Sequence, residues 1–236
     1  MTLVSDIITS GLRESNAVGR TQPVPAGESA EALARLEAIV FSCLGNDVGY
    51  ILEDWNVASS TSITKPSGVP LNTTQITAFT IPPNARFACA LTGAVALTLN
   101  PQPQDGERFS VMDTKASFAA HNLTLHPNGR KLAGGVADVV LSTNGAINEY
   151  FYRADIGDWK LIAPLDPANE FLFPEDFDDF FIISLAMRMN PRYGVQLSPE
   201  SKATLDQQKS QITARYSQTR LNVGSIQTAP PAGAQQ

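Results

Sequence analysis

The residues with chemistry to offer are few and poorly arranged for it. Glu170, Glu175, Asp176, Asp178 and Asp179 form the one dense carboxylate group of the chain. Paired carboxylates can divide the acid and base roles of glycoside hydrolysis. Four of the five, however, fall in the first turns of a segment with helical spacing, where the helix dipole favours anions. They read as helix-start charges. His121 and His126 lie beside an expected strand, with no cysteine or third histidine at ligand spacing, so no metal is expected. Cys43 falls in a helical pattern and Cys89 in a strand pattern, and neither spacing suits a ligand set or a disulfide framework, so both read as core thiols. There is no P-loop, no G-x-S-x-G and no dinucleotide fingerprint, and Gly134-Gly135 is a turn signal only. The expectation is a protein with no catalytic task and no cofactor.

Composition points the same way. The 236 residues are 43% hydrophobic, enough for a real core, and 17 basic against 23 acidic residues give a net charge of −6. The charge is spread without long runs, which argues against a duplex-DNA or anionic-membrane binder relying on counterion release. No stretch approaches the ~18 apolar residues that span a bilayer, and no leader pattern opens the chain, so a cytosolic product is expected.

The elements that must position any site separate by period. Val4, Ile7, Ile8 and Leu12, then Leu33, Leu36, Val40, Phe41 and Leu44, predict helices over 3–16 and 29–44, the second capped by Ser29 and followed by Gly45. Pro174 can open a third helix, in which Phe177, Phe181, Leu185 and Met189, flanked by Phe180, Ile183 and Met187, predict near-complete burial. Asn190-Pro191 is expected to stop it. Ser198-Pro199-Glu200 restarts a fourth helix of another kind: its apolar positions thin to Leu205, Ile212 and Tyr216, and the rest is polar.

Between the helical zones, the small polar stretch 56–65 reads as linker. Short alternating runs follow at 77–81, 86–91, 95–99, 108–113, 123–126, 139–142, 149–153 and 159–162, separated by turn signals such as Thr92-Gly93, Asn128-Gly129 and Asn144-Gly145. About eight short strands predict an antiparallel sandwich or barrel. The expected fold is therefore α+β. A helical domain of about four helices (1–58 and 166–219) carries an inserted antiparallel β-domain (59–165), and a flexible tail (220–236), low in charge and rich in Gly, Pro, Ala and Gln, docks on a partner.

Two sets of motifs add a resemblance. GLRESNAVG then SAEALARLEAIV near the start, and DFDDFFIISLAMRMNPRYG then SPES and ARY near the end, resemble the tail accessory factors of short-tailed phages. These are head-to-tail adaptors, also called packaged-DNA stabilisation proteins. The matches cover 5–52 and 171–216, roughly two fifths of the chain. The middle stretches DGERFSVMD, NLTLHPNGRKL and NEYFYRADIGDWKLI are similar to small β-modules of phage virion proteins.

The resemblance implies a structural protein of the virion, assembled in the cytoplasm of an infected bacterium. Copies would bind side by side under the dodecameric portal, extend the DNA channel, help retain the packaged genome and offer a platform to the next tail protein, a nozzle or fibre. DNA would make at most a passing contact, and no membrane is involved. Candidate portal or subunit contacts are Arg188, Arg192 and Tyr193 at the end of the third helix. Lys202, Lys209, Arg215 and Arg220 belong to the fourth, and Leu221, Val223 and Ile226 to the tail. Alternatively, this is a tail or appendage protein whose β-domain binds a host surface or carbohydrate, for which Tyr150, Tyr152 and Trp159 are the surface candidates. Alternation places Tyr150 and Tyr152 on one strand face and Phe151 on the other, so core packing competes with that reading. A third possibility makes the β-domain a spacer or clamp against a neighbouring copy or the capsid shell.

Overall fold

The computed structural model describes residues 1–19, 21–46, 52–65, 79–193 and 198–216, with 46 and 191–193 described by backbone alone. Two helices, α1 (Val4–Glu14) and α2 (Ala26–Asn46), precede ten strands, and two more, α3 (Asp178–Tyr193) and α4 (Pro199–Tyr216), follow them. The strands are β1 (Glu53–Ser59), β2 (Ser62–Thr64), β3 (Ala85–Cys89), β4 (Val95–Thr98), β5 (Arg108–Asp113), β6 (Leu123–His126), β7 (Lys131–Leu132), β8 (Val139–Leu141), β9 (Ile147–Arg153) and β10 (Asp158–Ile162).

The expected antiparallel sandwich, inserted into a helical domain, is not what these strands build. They form a mixed seven-stranded sheet, β2-β1-β3-β5-β9-β10-β7, facing a three-stranded one, β4-β6-β8. From β3 to β6 the chain alternates between the two sheets, and each strand lies parallel to the one a full turn earlier. Thus Phe87 pairs with Val111, Trp55 with Phe87, and Leu97 with Leu125. The result is a β-solenoid of about three turns. Parallel neighbours need a long crossover, and those from β3 to β5 and from β4 to β6 each carry a strand of the opposite sheet. The strand positions were readable because period-2 burial is the same in both architectures; pairing was not, because Thr92-Gly93 and its like bend the chain between sheets instead of closing hairpins. Antiparallel pairs then follow, with β9 on β5, β10 on β9 and β8 on β6, and β7 closes the larger sheet parallel to β10.

Other boundaries also move. The stretch read as linker is β1 and β2, where Trp55, Val57 and Ile63 are buried in alternation. Helix α2 starts ahead of Ser29 and runs through Gly45, so neither residue caps it. Pro174 opens a 3-10 turn (Glu175–Phe177) that leads into α3, and α3 continues through Pro191 to Tyr193. The strand run expected from residue 77 begins outside the described residues, and Thr80 forms a parallel bridge with Thr98.

Two apolar cores result. Inside the solenoid, Phe109 stacks on Tyr150 at 4.8 Å and meets Trp159 edge-on at 5.0 Å, and Trp55, Phe79 and Phe87 form a second aromatic cluster. The second core joins α1, α2 and α3 to the outer face of β9: Ile7, Leu12, Leu36, Val40, Phe181 and Leu185 pack with Phe151, Phe171 and Phe173. Helices α1 and α3 approach so closely that a Cβ at Gly11 would lie 2.8 Å from Leu185 Cδ2. The chain start is stitched to the segment before α3, with Val4 N–H donating to Asn169 O at 3.0 Å and Phe171 N–H to Thr2 O at 2.9 Å.

Polar side chains fix the junctions. Arg108 on β5 donates to the Leu44 carbonyl in the last turn of α2 at 2.6 Å and pairs with Glu149 on β9. Asp113, at the end of β5, accepts the backbone N–H groups of Lys115, Ser117, Phe118 and Gly145 at 3.0 to 3.2 Å. It opposes its burial with those donors, which hold its carboxyl well below the usual range.

Candidate functional site

The fourth helix is where the chain departs most from a self-sufficient fold. Of the 18 residues of α4, Ile212 and Tyr216 are the buried ones. A helix this polar gains little from its own core and needs an anchor or a partner. Its first turn is capped by Ser198, whose Oγ accepts the Ser201 N–H at 3.0 Å. Its last turn is clamped. Tyr216 enters the aromatic cluster of Phe151, Phe173 and Phe177, while Arg215 pairs with Asp105 at 2.6 Å and lies over the Phe177 ring. Burial pushes the Tyr216 hydroxyl well above its ordinary range, and that hydroxyl has no hydrogen-bond partner among the described residues.

Between this clamp and the helix start, α2, α3 and α4 enclose a groove of about 350 Å³. Its apolar lining is Ile39, Cys43, Phe180, Met187 and Leu205, and Arg188, Asp206 and Lys209 supply its charge. Cys43 is buried, whereas Met187 is 40% exposed and Phe41, on α2, is 46% exposed.

The residues proposed from sequence are distributed unevenly around this feature. Arg188 and Lys209 line the groove, and Lys202 is exposed on the first half of α4. Arg215 is committed to the intramolecular clamp. The side chains of Arg192 and Tyr193, and all of Arg220, Leu221, Val223 and Ile226, lie outside the described residues. Tyr150, Tyr152 and Trp159, offered as a surface platform, are instead core: each is at most 3% exposed. Strand β9 is buried on both faces, so alternation sends Tyr150 and Tyr152 into the solenoid and Phe151 into the helical core.

The dense carboxylates are dispersed among separate partners. Glu170 binds Arg153 at 3.1 Å and Lys160 at 2.7 Å, Glu175 pairs with the Met1 amine, and Asp178 accepts the Thr2 hydroxyl at 2.5 Å. Burial raises the Asp178 carboxyl, despite that bond. His126 Nδ1 lies 2.8 Å from Asp138, and no group of three or more His, Cys, Asp or Glu side chains is placed to hold a metal among the described residues. No described helix is long and apolar enough to cross a membrane.

Sequence reasoning missed the most buried ion network. Arg153, 3% exposed, donates to Asp155, Glu170 and the Phe171 carbonyl, tying β9 to the segment that leads into α3. A charged residue closing the run Tyr150-Phe151-Tyr152 was its signal, since such a charge must be paired if the strand is buried. The contribution of Ile39, Ser42 and Cys43 to the groove had no comparable signal, because a groove depends on helix placement. Against known protein families and characterised proteins, the chain finds no match.

Proposed function

We propose that this chain is a structural protein of a phage virion, a head-to-tail adaptor whose copies bind side by side beneath the portal. There it extends the DNA channel, helps retain the packaged genome and presents a platform for the next tail protein. The observation that carries the reading is α4, an 18-residue helix that buries two of its side chains and is clamped at its last turn beside a groove of mixed apolar and polar lining. A polar helix of this kind has its outer face free for a neighbour, and the exposed Lys202 marks that face. The order of motifs flanking the β-region supports the same reading. Recognition of a host surface by Tyr150, Tyr152 and Trp159 has lost its platform, since all three are core.

In this reading the chain needs no catalytic group or cofactor. Its partners are the portal, neighbouring copies and a downstream nozzle or fibre protein, and DNA passes it without being gripped, consistent with a net charge of −6. Assembly takes place in the infected cell, and the final location is the head-tail junction. The test is to mix the purified chain with its cognate portal ring and examine the product by light scattering and electron microscopy. A stoichiometric ring on one end of the portal is the expected result. Two folded partners that do not associate would overturn it.

A further inference from the structure

We propose that the outer edge of β8 is an interface between two copies of this chain, paired antiparallel across a two-fold axis at Val140. The contact needs no portal, so it stands or falls independently of the function proposed above.

The sheet edges differ in how they are guarded. An edge strand presents unpaired N–H and C=O groups, and proteins protect it with charge, proline or a covering segment. The edge of β4 is covered, since Ile81 N–H donates to Thr98 O at 2.8 Å and Thr98 N–H to Phe79 O at 3.1 Å. Strand β7 carries the exposed Lys131, and β2 is followed by Lys65, which pairs with Glu53. Strand β8 has no such guard. Its ladder partner is β6, and among the described residues no hydrogen bond from elsewhere reaches the backbone of 139–141.

The composition around that edge suits association. Residues 132–148 include one charged side chain, Asp138, and His126 Nδ1 already meets it at 2.8 Å. In the same stretch Val136 is 78% and Val140 53% exposed. Apolar exposure concentrated in this way is what association surfaces carry.

Self-complementarity selects the second copy as the occupant. Antiparallel pairing centred on Val140 sets Val140 against itself, Val139 against Leu141 and Asp138 against Ser142 of the second copy. Apolar rungs meet apolar ones, and the two carboxylates stay apart. Centring on Val139 would place Asp138 opposite Val140, and centring on Leu141 would place Val140 opposite Ser142. Val139 and Leu141 already pack, partly buried, against the solenoid core, and the pairing extends that core into the second copy. A contact confined to 138–142 is smaller than the ~800 Å² per partner of a standard interface, so the dimer is a weak one that forms at tens of micromolar or above.

The experiment uses the full-length chain without a portal. Because Val140 faces itself across the axis, Val140→Cys should form a disulfide-linked dimer under mild oxidation, read by intact mass and peptide mapping. Val136→Cys is the control, being more exposed but off the axis. The native Cys43 and Cys89 are buried. Dimer formation at least tenfold faster for Val140→Cys is expected; an equal or faster rate for Val136→Cys would mean random collision and overturn the proposal. Sedimentation of the natural chain from about 5 to 200 μM should show mass rising towards two copies and no further. Val140→Lys, with an unchanged circular dichroism spectrum, should remove that rise. A mass fixed at one copy would overturn the proposal, and so would growth beyond two copies, which requires a head-to-tail contact.

Discussion

The ring of Tyr216 occupies the space in which a side chain at residue 106 would begin: a Cβ built on Gly106 would stand 2.4 Å from Tyr216 Cδ1. Gly106 also has φ +82°, a left-handed conformation that costs other residues about 1–2 kcal/mol. The loop before β5 and the end of α4 are thus fitted to each other with no atom to spare. Gly106→Ala is expected to cost about 3 kcal/mol or more, strain and overpacking together. Tyr216→Ala should cost about 3–5 kcal/mol, as for a buried aromatic. Tyr216→Phe should be neutral or slightly stabilising, because the buried hydroxyl has no partner to lose. Urea unfolding of the three variants checks the set, and a large loss for Tyr216→Phe would show that the hydroxyl is bonded.

Two buried carboxylates should give opposite pH signatures. Glu107 is raised above 4.5 by burial, against hydrogen bonds from the Gln104 N–H and the Asn100 amide. Folded, it holds its proton to higher pH than the unfolded chain does, so its contribution is full below that value and is lost as pH rises through the folded one. Relative to Glu107→Gln, the natural chain should lose stability from about pH 4.5 upward. Asp113 is lowered from 3.8, so its stabilisation is present above that value and erodes as pH falls below it. The gap between the natural chain and Asp113→Asn should narrow in acid. Urea midpoints between about pH 3 and pH 7 decide both, and pH-independent gaps would contradict them.

Because β9 serves both cores, they should not unfold separately. Trp55 and Trp159 report on the solenoid interior, and the far-ultraviolet helix signal reports on α1 to α4. Their denaturation curves should coincide. Phe151→Ala, in the helical core alone, should move both curves together, at a cost of about 3–5 kcal/mol. Curves that part company would show two independent units.

On the portal reading, Lys202→Glu separates stability from assembly. The side chain is exposed on α4, so unfolding should change by less than about 0.5 kcal/mol. Affinity for the portal ring should fall at least tenfold, with reduced sensitivity to salt, as measured by light scattering titration. Unchanged affinity would remove Lys202 from the interface.

What could be read in the sequence was local. Leu12, Leu36, Phe181 and Leu185 announced their helices because burial repeats with the helical period, and Phe87, Val111 and Leu125 announced strands for the corresponding reason. The pairing of Phe87 with Val111 left no such trace, since parallel and antiparallel strands bury the same alternation. The polar stretch around Val57 misled because only its alternate residues are buried, and its Ser and Thr also belong to linkers. For the candidate site, the polar character of α4 was legible in its composition. The commitment of Arg215 to Asp105 was not, because it joins residues far apart in sequence. Buried aromatics such as Tyr150 and Trp159 likewise look the same in sequence whether they line a core or a binding platform.

Strand β9 leaves the chain little freedom to misalign. Side-chain direction alternates strictly, so a shift of one residue against β5 would aim Tyr150 and Tyr152 at the helices and Phe151 into the solenoid. Both cores would then lose their fit at once, and the Arg153 guanidinium would leave Glu170. A surface strand can slip at the expense of one face. Here a single error is felt on both sides of the sheet, so correct register is enforced during folding by two independent tests of fit.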